Sequence, residues 1–256
     1  MSAVSFHAPR RGVMTRGQTA LFLGLLGVLF LVPIVVLVLY AGASSWQFPR
    51  LLPAGFSLRG VNFVGRQAAA IAVSLLSSAL YSLAVVALSF VLTLLPARAL
   101  AWYPLPLKGV LEALFLSPAL LPVMTFSMGA HVLLLRMRLA DTWFGVVLIL
   151  TVFAYPYMLR ALGAGYQRIS AHYAVTARNL GAGFWMTLLR VEVPLLQPAF
   201  GAGASVVFLV AFSEYFLVFL VGGGAVSSYT GSLVPFLKSS DLQIASMLTL
   251  IFLVVP

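Results

Sequence analysis

Residues 172–198, HYAVTARNLGAGFWMTLLRVEVPLLQP, form a polar, glycine-bearing stretch between two long apolar runs. Ile169, Tyr173, Thr176 and Leu180 recur at helical spacing and mark one face of a short helix, which Gly181 ends. After Leu180-Gly181-Ala182 comes a basic amphipathic segment over 183–193, with Phe184, Leu188 and Val191 on one side and Arg190 at its far end. Val193-Pro194-Leu195 closes the segment, and Pro198 follows. The pattern predicts helix, break, helix lying at a membrane surface. An exposed helical face beside an abrupt glycine turn suits docking into a groove on a partner; an interfacial helix that merely links two spans is the plainer alternative.

The flanking runs set the fold class. Of the 256 residues, 62% are hydrophobic and 8% charged, and the mean hydropathy is +1.09. Soluble globular domains carry an apolar share nearer ~45–50%. A helix needs ~20 apolar residues to cross ~30 Å of hydrocarbon. Such runs cover 20–43, 68–95, 107–135, 142–162 and 194–222, and a further one, 242–256, runs off the end, so the C-terminus is expected to be incomplete. The ~10-residue alternation of a membrane β-barrel is not visible. The expectation is an all-α integral membrane protein of about six transmembrane helices, with one domain over 20–256 behind a tail of residues 1–19. There is no 20–50-residue repeat, low-complexity tract or soluble domain.

The formal charge of +10 would suit a nucleic-acid binder, but a membrane protein spends its basic residues on loop topology, so no nucleic-acid partner is expected. With the N-terminus inside, Arg10, Arg11, Arg16, Arg98, Lys108, Arg160, Arg168, Arg178 and Arg190 face the cytoplasm. Arg50, Arg59, Arg66, Arg136, Arg138 and Lys238 then face outward, a modest bias for that orientation. The absence of cysteine excludes disulfide and thiol chemistry. The first apolar run exceeds ~20 residues and lacks a small-residue cleavage site, so it reads as a retained anchor.

Between the first two runs, residues 44–66 contain Pro49, Pro53 and two glycines and read as an external loop. Residues 98–108, with Trp102, Tyr103, Pro104 and Pro106, read as a tight internal turn at the headgroup level. Pro118, Pro122 and Pro156 predict kinked spans. The run Gly201-Ala202-Gly203-Ala204-Ser205 predicts close helix packing.

Catalysis requires convergent acids, bases or nucleophiles, and the five carboxylates and three histidines are scattered with no evident pairing. The chain has no phosphate-cradling Gly-x-x-x-x-Gly-Lys-Ser/Thr loop, no HExxH and no Cys/His cluster; His131 and His172 stand alone. No enzymatic activity and no metal site are therefore expected. Glu214, in Phe212-Ser213-Glu214-Tyr215-Phe216, is placed well inside an apolar run. An ionised acid at the bilayer centre costs ~2.5–3.5 kcal/mol, and such residues usually face a bundle interior or a water-filled path. Ser213, Glu214 and Tyr215 are thus pathway candidates, and the field of Glu214 would favour a cationic solute. An acid hydrated near the outer interface, or paired with an arginine, is the alternative. Gly222-Gly223-Gly224 reads as a flexible exit into an external loop.

The 172–198 stretch resembles the cytoplasmic coupling loop of binding-protein-dependent ABC importer permeases (the type-1, MetI-like transmembrane domain). That loop reads Glu-Ala-Ala, three residues, Gly, then about nine residues to a hydrophobic position and Leu-Pro. Here Ala177 matches the second Ala, Leu180 and Gly181 follow as in the family, and Val193-Pro194 matches the final element. Val175 stands where the family has Glu, so any ion pair made by that acid is missing, and Thr176 stands for the first Ala. The runs from Glu112 to Pro122 and from Phe153 to Arg160 also look like this family's third and fourth helices, so the resemblance covers 68 to the end. It implies a coupling helix between spans four and five, with Thr176, Ala177, Arg178, Leu180, Gly181 and Ala182 contacting an ATPase subunit. It further implies ATP and Mg bound by that partner alone, a second permease subunit, identical or different, and an extracytoplasmic solute-binding protein. The location implied is a bacterial inner membrane, multi-pass, with the N-terminus cytoplasmic. The region around Glu214 looks most like the thiamine, polyamine and iron branch. An ion-coupled secondary transporter, which should show inverted repeats and several intramembrane ionisable groups, and a non-transport scaffold remain as alternatives.

Overall fold

The computed structural model describes residues 16–44, 46, 50, 52–239 and 241–255. The basic tail with Arg10 and Arg11, the Arg16 side chain, Pro49 and Pro256 lie outside them. The described chain is an all-α membrane fold. In order come α1 (Arg16–Gly42), α2 (Arg59–Arg66), α3 (Ala68–Trp102), α4 (Lys108–Leu116), a 3₁₀ turn (Ser117–Leu120), α5 (Val123–Arg136) and α6 (Trp143–Arg168). Then follow α7 (His172–Asn179), α8 (Phe184–Thr187), a π turn (Leu188–Glu192), α9 (Val193–Leu195), α10 (Gln197–Ser213), α11 (Phe216–Gly222), α12 (Tyr229–Lys238) and α13 (Leu242–Val254).

Among the described residues three helices, Gly17–Gly42, Ala68–Trp102 and Trp143–Arg168, are long and apolar enough to cross a membrane. Two bent pairs raise the number to as many as five: Lys108–Leu120 with Val123–Arg136, bent by 94°, and Phe184–Leu195 with Gln197–Ser213, bent by 73°. The sixth expected run appears as the shorter α13, of 13 residues. Prolines account for the sharp bends. Pro118 opens the 3₁₀ turn and Pro122 sits in extended conformation ahead of α5, so neither supplies the amide a continuous helix needs. Pro194 and Pro198 flank the second bend at Leu196. Pro156, in contrast, lies within a continuous α6.

The core is α3, α6, α10 and α11. Tyr81, Val85, Ala97, Val146, Ala154, Met158, Leu162, Val207, Ala211 and Val221 fill it. Glycine sets how closely α6 and α10 approach. A Cβ on Gly203 would meet Met158 Sδ at 2.8 Å and Ala161 Cβ at 2.9 Å, and one on Gly165 would meet Ala199 Cβ at 2.5 Å. The expected packing role of the 201–205 run therefore falls on Gly203, for a Cβ on Gly201 meets nothing within 4 Å. Along the buried side of α3 run Ser74, Ser78, Ser82, Ser89 and Thr93. Ser74 Oγ and Thr93 Oγ1 donate to carbonyls one turn back, Ile71 O at 2.9 Å and Ser89 O at 2.7 Å, which is how hydroxyls are satisfied where water is scarce. A second cluster, Tyr229, Leu233, Ile244 and Leu248, joins α12 to α13, with Phe63 and Val64 of α2 packed on it. By contrast α1 leaves its apolar side chains, such as Leu21 and Phe30, exposed, as suits a helix that faces lipid.

Three expectations change. Residues 44–66 are not wholly a loop, because α2 forms at their end and Ala43 bridges Phe56. Residues 98–102 are not a turn: α3 runs to Trp102 through Pro96, and Arg98 is buried. The 194–222 run is not one helix. It breaks at Glu214, which is extended (φ −74°, ψ 119°).

Candidate functional site

The first part of the 172–198 stretch is the expected short helix ended by glycine. The helix is α7, and Gly181 ends it with φ +88°, in the left-handed region that glycine adopts without steric cost. Its amide reaches Arg178 O at 2.9 Å, and the Ala182 amide reaches Ala177 O at 3.0 Å, so the last carbonyls of α7 are satisfied. The faces differ from expectation. Ile169 lies outside α7 as the extended residue after α6. Tyr173, Thr176 and Leu180 point outward, while Ala174 is buried and Ala177 half-buried. Small side chains let α7 sit close on the bundle; bulky ones are left outside. Arg178 lies 6.0 Å from the Phe184 ring.

The second segment is not a regular helix. It is one turn of α8, then a π turn over Leu188–Glu192, then α9. The wider turn buries Thr187, Leu188 and Glu192, whereas Arg190 is exposed and Val191 half-buried. Glu192 is the residue that sequence reasoning missed. Its carboxylate accepts from Arg98 Nε at 2.8 and 3.1 Å and from Tyr166 Oη at 3.2 Å. The two charged side chains are 8% and 2% exposed. Arg98 also donates to Tyr103 Oη at 3.2 Å and lies 5.0 Å from the Trp102 ring and 5.5 Å from the Phe184 ring. Trp102 Nε1 donates to Tyr166 O at 2.9 Å. One buried ion pair thus ties the end of α3, the end of α6 and the loop together. The five carboxylates are less scattered than they look in sequence, since Glu112 and Asp241 also pair, with Lys108 and Arg59.

The structure brings Ser213, Glu214 and Tyr215 together at the α10–α11 break. Glu214 Oε1 accepts from the Phe216 and Leu217 amides at 3.0 and 3.2 Å, capping α11. Its carbonyl accepts from Thr230 Oγ1 at 3.1 Å. Ser213 Oγ is turned back to Leu209 O at 2.7 Å, and Tyr215 stacks on Phe219. Beside them, a cavity of about 620 Å³ opens between α3, α11 and the α11–α12 connection. Val73, Ser74, Val218, Phe219, Ser228 and Ser232 line it; the three candidates border it through Phe219 rather than line it themselves. Ser228 caps α12 by accepting from the Gly231 amide at 3.0 Å. Tyr229, next along, donates its N–H to Ser78 Oγ at 2.9 Å and its hydroxyl to Leu248 O at 2.6 Å. Among the described residues no group of three or more His, Asp or Glu is disposed to hold a metal ion.

The same fold occurs in a crystal structure of a bacterial ABC transporter involved in the import of the acidic polysaccharide alginate, with a TM-score of 0.68 over 93% of both chains at 17% identity. The sulfate transport system permease protein CysT of Escherichia coli is 25% identical over 163 residues, 59% of each chain. The spermidine/putrescine permease protein PotB of Haemophilus influenzae is 29% identical over 107 residues, 42% of this chain and 37% of that one. The chain shares the ABC importer permease fold, and its relatives are ABC transporter permeases. No protein-family model matches the chain. Its match spans less than two thirds of the length of either relative. Fold and relatives together make it a multi-pass membrane protein.

Proposed function

We propose that the chain is the transmembrane permease subunit of an ATP-driven importer in a bacterial inner membrane, with its N-terminus in the cytoplasm. A second permease subunit, identical or different, completes the pathway, a solute-binding protein delivers solute, and a partner ATPase binds ATP and Mg. The observation that carries this reading is the 172–198 loop. It presents α7 and its left-handed glycine outward with Tyr173, Val175 and Leu180 exposed, while Glu192 anchors its other end to α3. An outward apolar helix on a fixed base is suited to groove docking. Thr176, Arg178, Leu180 and Ala182 are the proposed contacts, with Ala177 beneath them and Gly181 setting the turn. An ion-coupled transporter or a scaffold would not need such a face.

The test uses the absence of cysteine. A single Ala182→Cys is paired with a cysteine in the docking cleft of the co-expressed ATPase. An ATP-sensitive cross-link supports the reading; no cross-link with both proteins in the membrane overturns it. For the solute, Glu214 supports a cationic class, because its second carboxylate oxygen is not used in capping α11. Glu214→Gln keeps a capping oxygen and removes the charge. Loss of uptake confined to cationic solutes supports this class, and unchanged uptake refutes it.

A further inference from the structure

The short helix α2 carries Arg59, Asn62 and Arg66, spaced by three and four residues and therefore on one face. These residues, with Ser57 and Asp241, line a cavity of about 440 Å³. The other face of α2 is apolar: Phe63 and Val64 pack on the α12–α13 cluster, and Phe63 meets the Phe236 ring edge-on at 5.3 Å. The helix is firmly placed. Gln243 Nε2 donates to Ala41 O at 3.3 Å and Ser57 O at 2.9 Å, joining the end of α1, the approach to α2 and the start of α13. Asp241 pairs with Arg59 and also accepts from the Ile244 amide at 3.4 Å. Its charge is thus shared between one guanidinium and a helix N-terminus. Arg66 has no carboxylate within ion-pair distance among the described residues, so the cavity holds excess positive charge.

The depth of this cavity in the membrane follows from its neighbours. α1, long enough to cross, ends at Gly42, and α3, also long enough, begins at Ala68. The connection between them must lie at one boundary of the bilayer. Leu58 and Val61, beside the arginines, are 72% and 52% exposed, as expected of side chains resting in the acyl boundary. An anion that meets both a guanidinium face and an apolar rim at that depth is a phosphodiester with acyl chains attached. Guanidinium matches phosphate through paired N–H donors, and basic residues draw anionic lipid to this depth.

We infer that the Arg59–Asn62–Arg66 face of α2 is a seat for the phosphate of an anionic lipid headgroup. The test is native mass spectrometry and thermal unfolding of the full chain in detergent, titrated with phosphatidylglycerol, phosphatidylcholine or inorganic phosphate. The expected result is preferential binding and thermal protection by phosphatidylglycerol, weakened about fivefold in Arg66→Gln and largely kept in Arg66→Lys. Asn62→Ala, which removes a neutral donor from the same face, weakens binding to a smaller extent without removing charge. Equal protection by inorganic phosphate assigns the seat to a free oxyanion and overturns the lipid source. Unchanged phosphatidylglycerol binding in both Arg66→Gln and Asn62→Ala overturns the site itself.

Discussion

Replacing Glu192 with Gln tests whether the buried ion pair holds the loop to the bundle. The substitution keeps size and one acceptor oxygen but removes the charge that faces Arg98. Arginine does not deprotonate in proteins, so its guanidinium would remain ionised with its side chain 8% exposed. Breaking a buried pair from one side costs about 3–5 kcal/mol. Arg98 keeps Tyr103 Oη and the nearby Trp102 and Phe184 rings, which together offset part of that loss, so about 3 kcal/mol is expected. For a chain of this size each kcal/mol moves the midpoint by about 2–4 °C, which gives a fall of about 6–12 °C. The assay is thermal unfolding of the detergent-solubilised chain followed by circular dichroism. Arg98→Met combined with Glu192→Leu should recover most of the loss, because two apolar groups of similar size leave no buried charge. A fall below about 2 °C for Glu192→Gln, or a double variant as unstable as the two single losses added, would refute the reasoning.

Gly181→Asp should abolish uptake while leaving membrane insertion and expression unchanged: no atom lies within 4 Å of a Cβ there, so the cost, about 1–2 kcal/mol, falls on the φ of +88° and on the shape of the loop. Gly203→Ala should lower stability by about 1–3 kcal/mol through overpacking against Met158 and Ala161, whereas Gly201→Ala, in open space, should leave the melting curve unchanged. Tyr229→Phe removes the hydroxyl that donates to Leu248 O at 2.6 Å and should cost about 0.5–1.5 kcal/mol in the same melt. Burial raises the Tyr229 phenol above its ordinary value, so this bond should persist up to the alkaline end of any workable pH range.

The long spans and the glycine break were legible because each rests on local pattern. Residues 68–95 and 142–162 are apolar over more than a bilayer's depth, and Gly181 sits where a helical spacing stops. What failed to show was pairing over distance. Arg98 and Glu192 are 94 residues apart, and Arg98 lies between Pro96 and Pro104, a context that reads as a turn. Within a membrane helix the neighbours can satisfy the carbonyl that proline frees, so α3 continues through Pro96 and carries Arg98 inward. The break at Glu214 was hidden for the opposite reason. Phe-Ser-Glu-Tyr-Phe contains neither glycine nor proline, and the cap is the acid's own side chain folding back on two amides. The serine stripe of α3 had a usable signal, for Ser74, Ser78 and Ser82 recur every four residues on what is otherwise an apolar helix.

The division of labour within the loop follows from which of its side chains are buried. α7 contributes Ala174 and part of Ala177 to the interior, and a methyl group buries too little surface to hold an eight-residue helix against the bundle. Leu188 and the Arg98–Glu192 pair, all in the π turn or facing it, supply the attachment. An ion pair with donors from Arg98 and Tyr166 also resists sliding in a way that apolar contact does not, since its hydrogen bonds fix direction as well as distance. A push on α7 therefore reaches the bundle through Glu192, and it arrives at α3 and α6 together. Weakening the pair should loosen the loop as one unit, whereas Ala174→Gly should alter only the seating of α7; comparing hydrogen exchange over 172–196 in the two variants separates these outcomes. Faster exchange confined to α7 in both would place the attachment in α7 itself and contradict the assignment to Glu192.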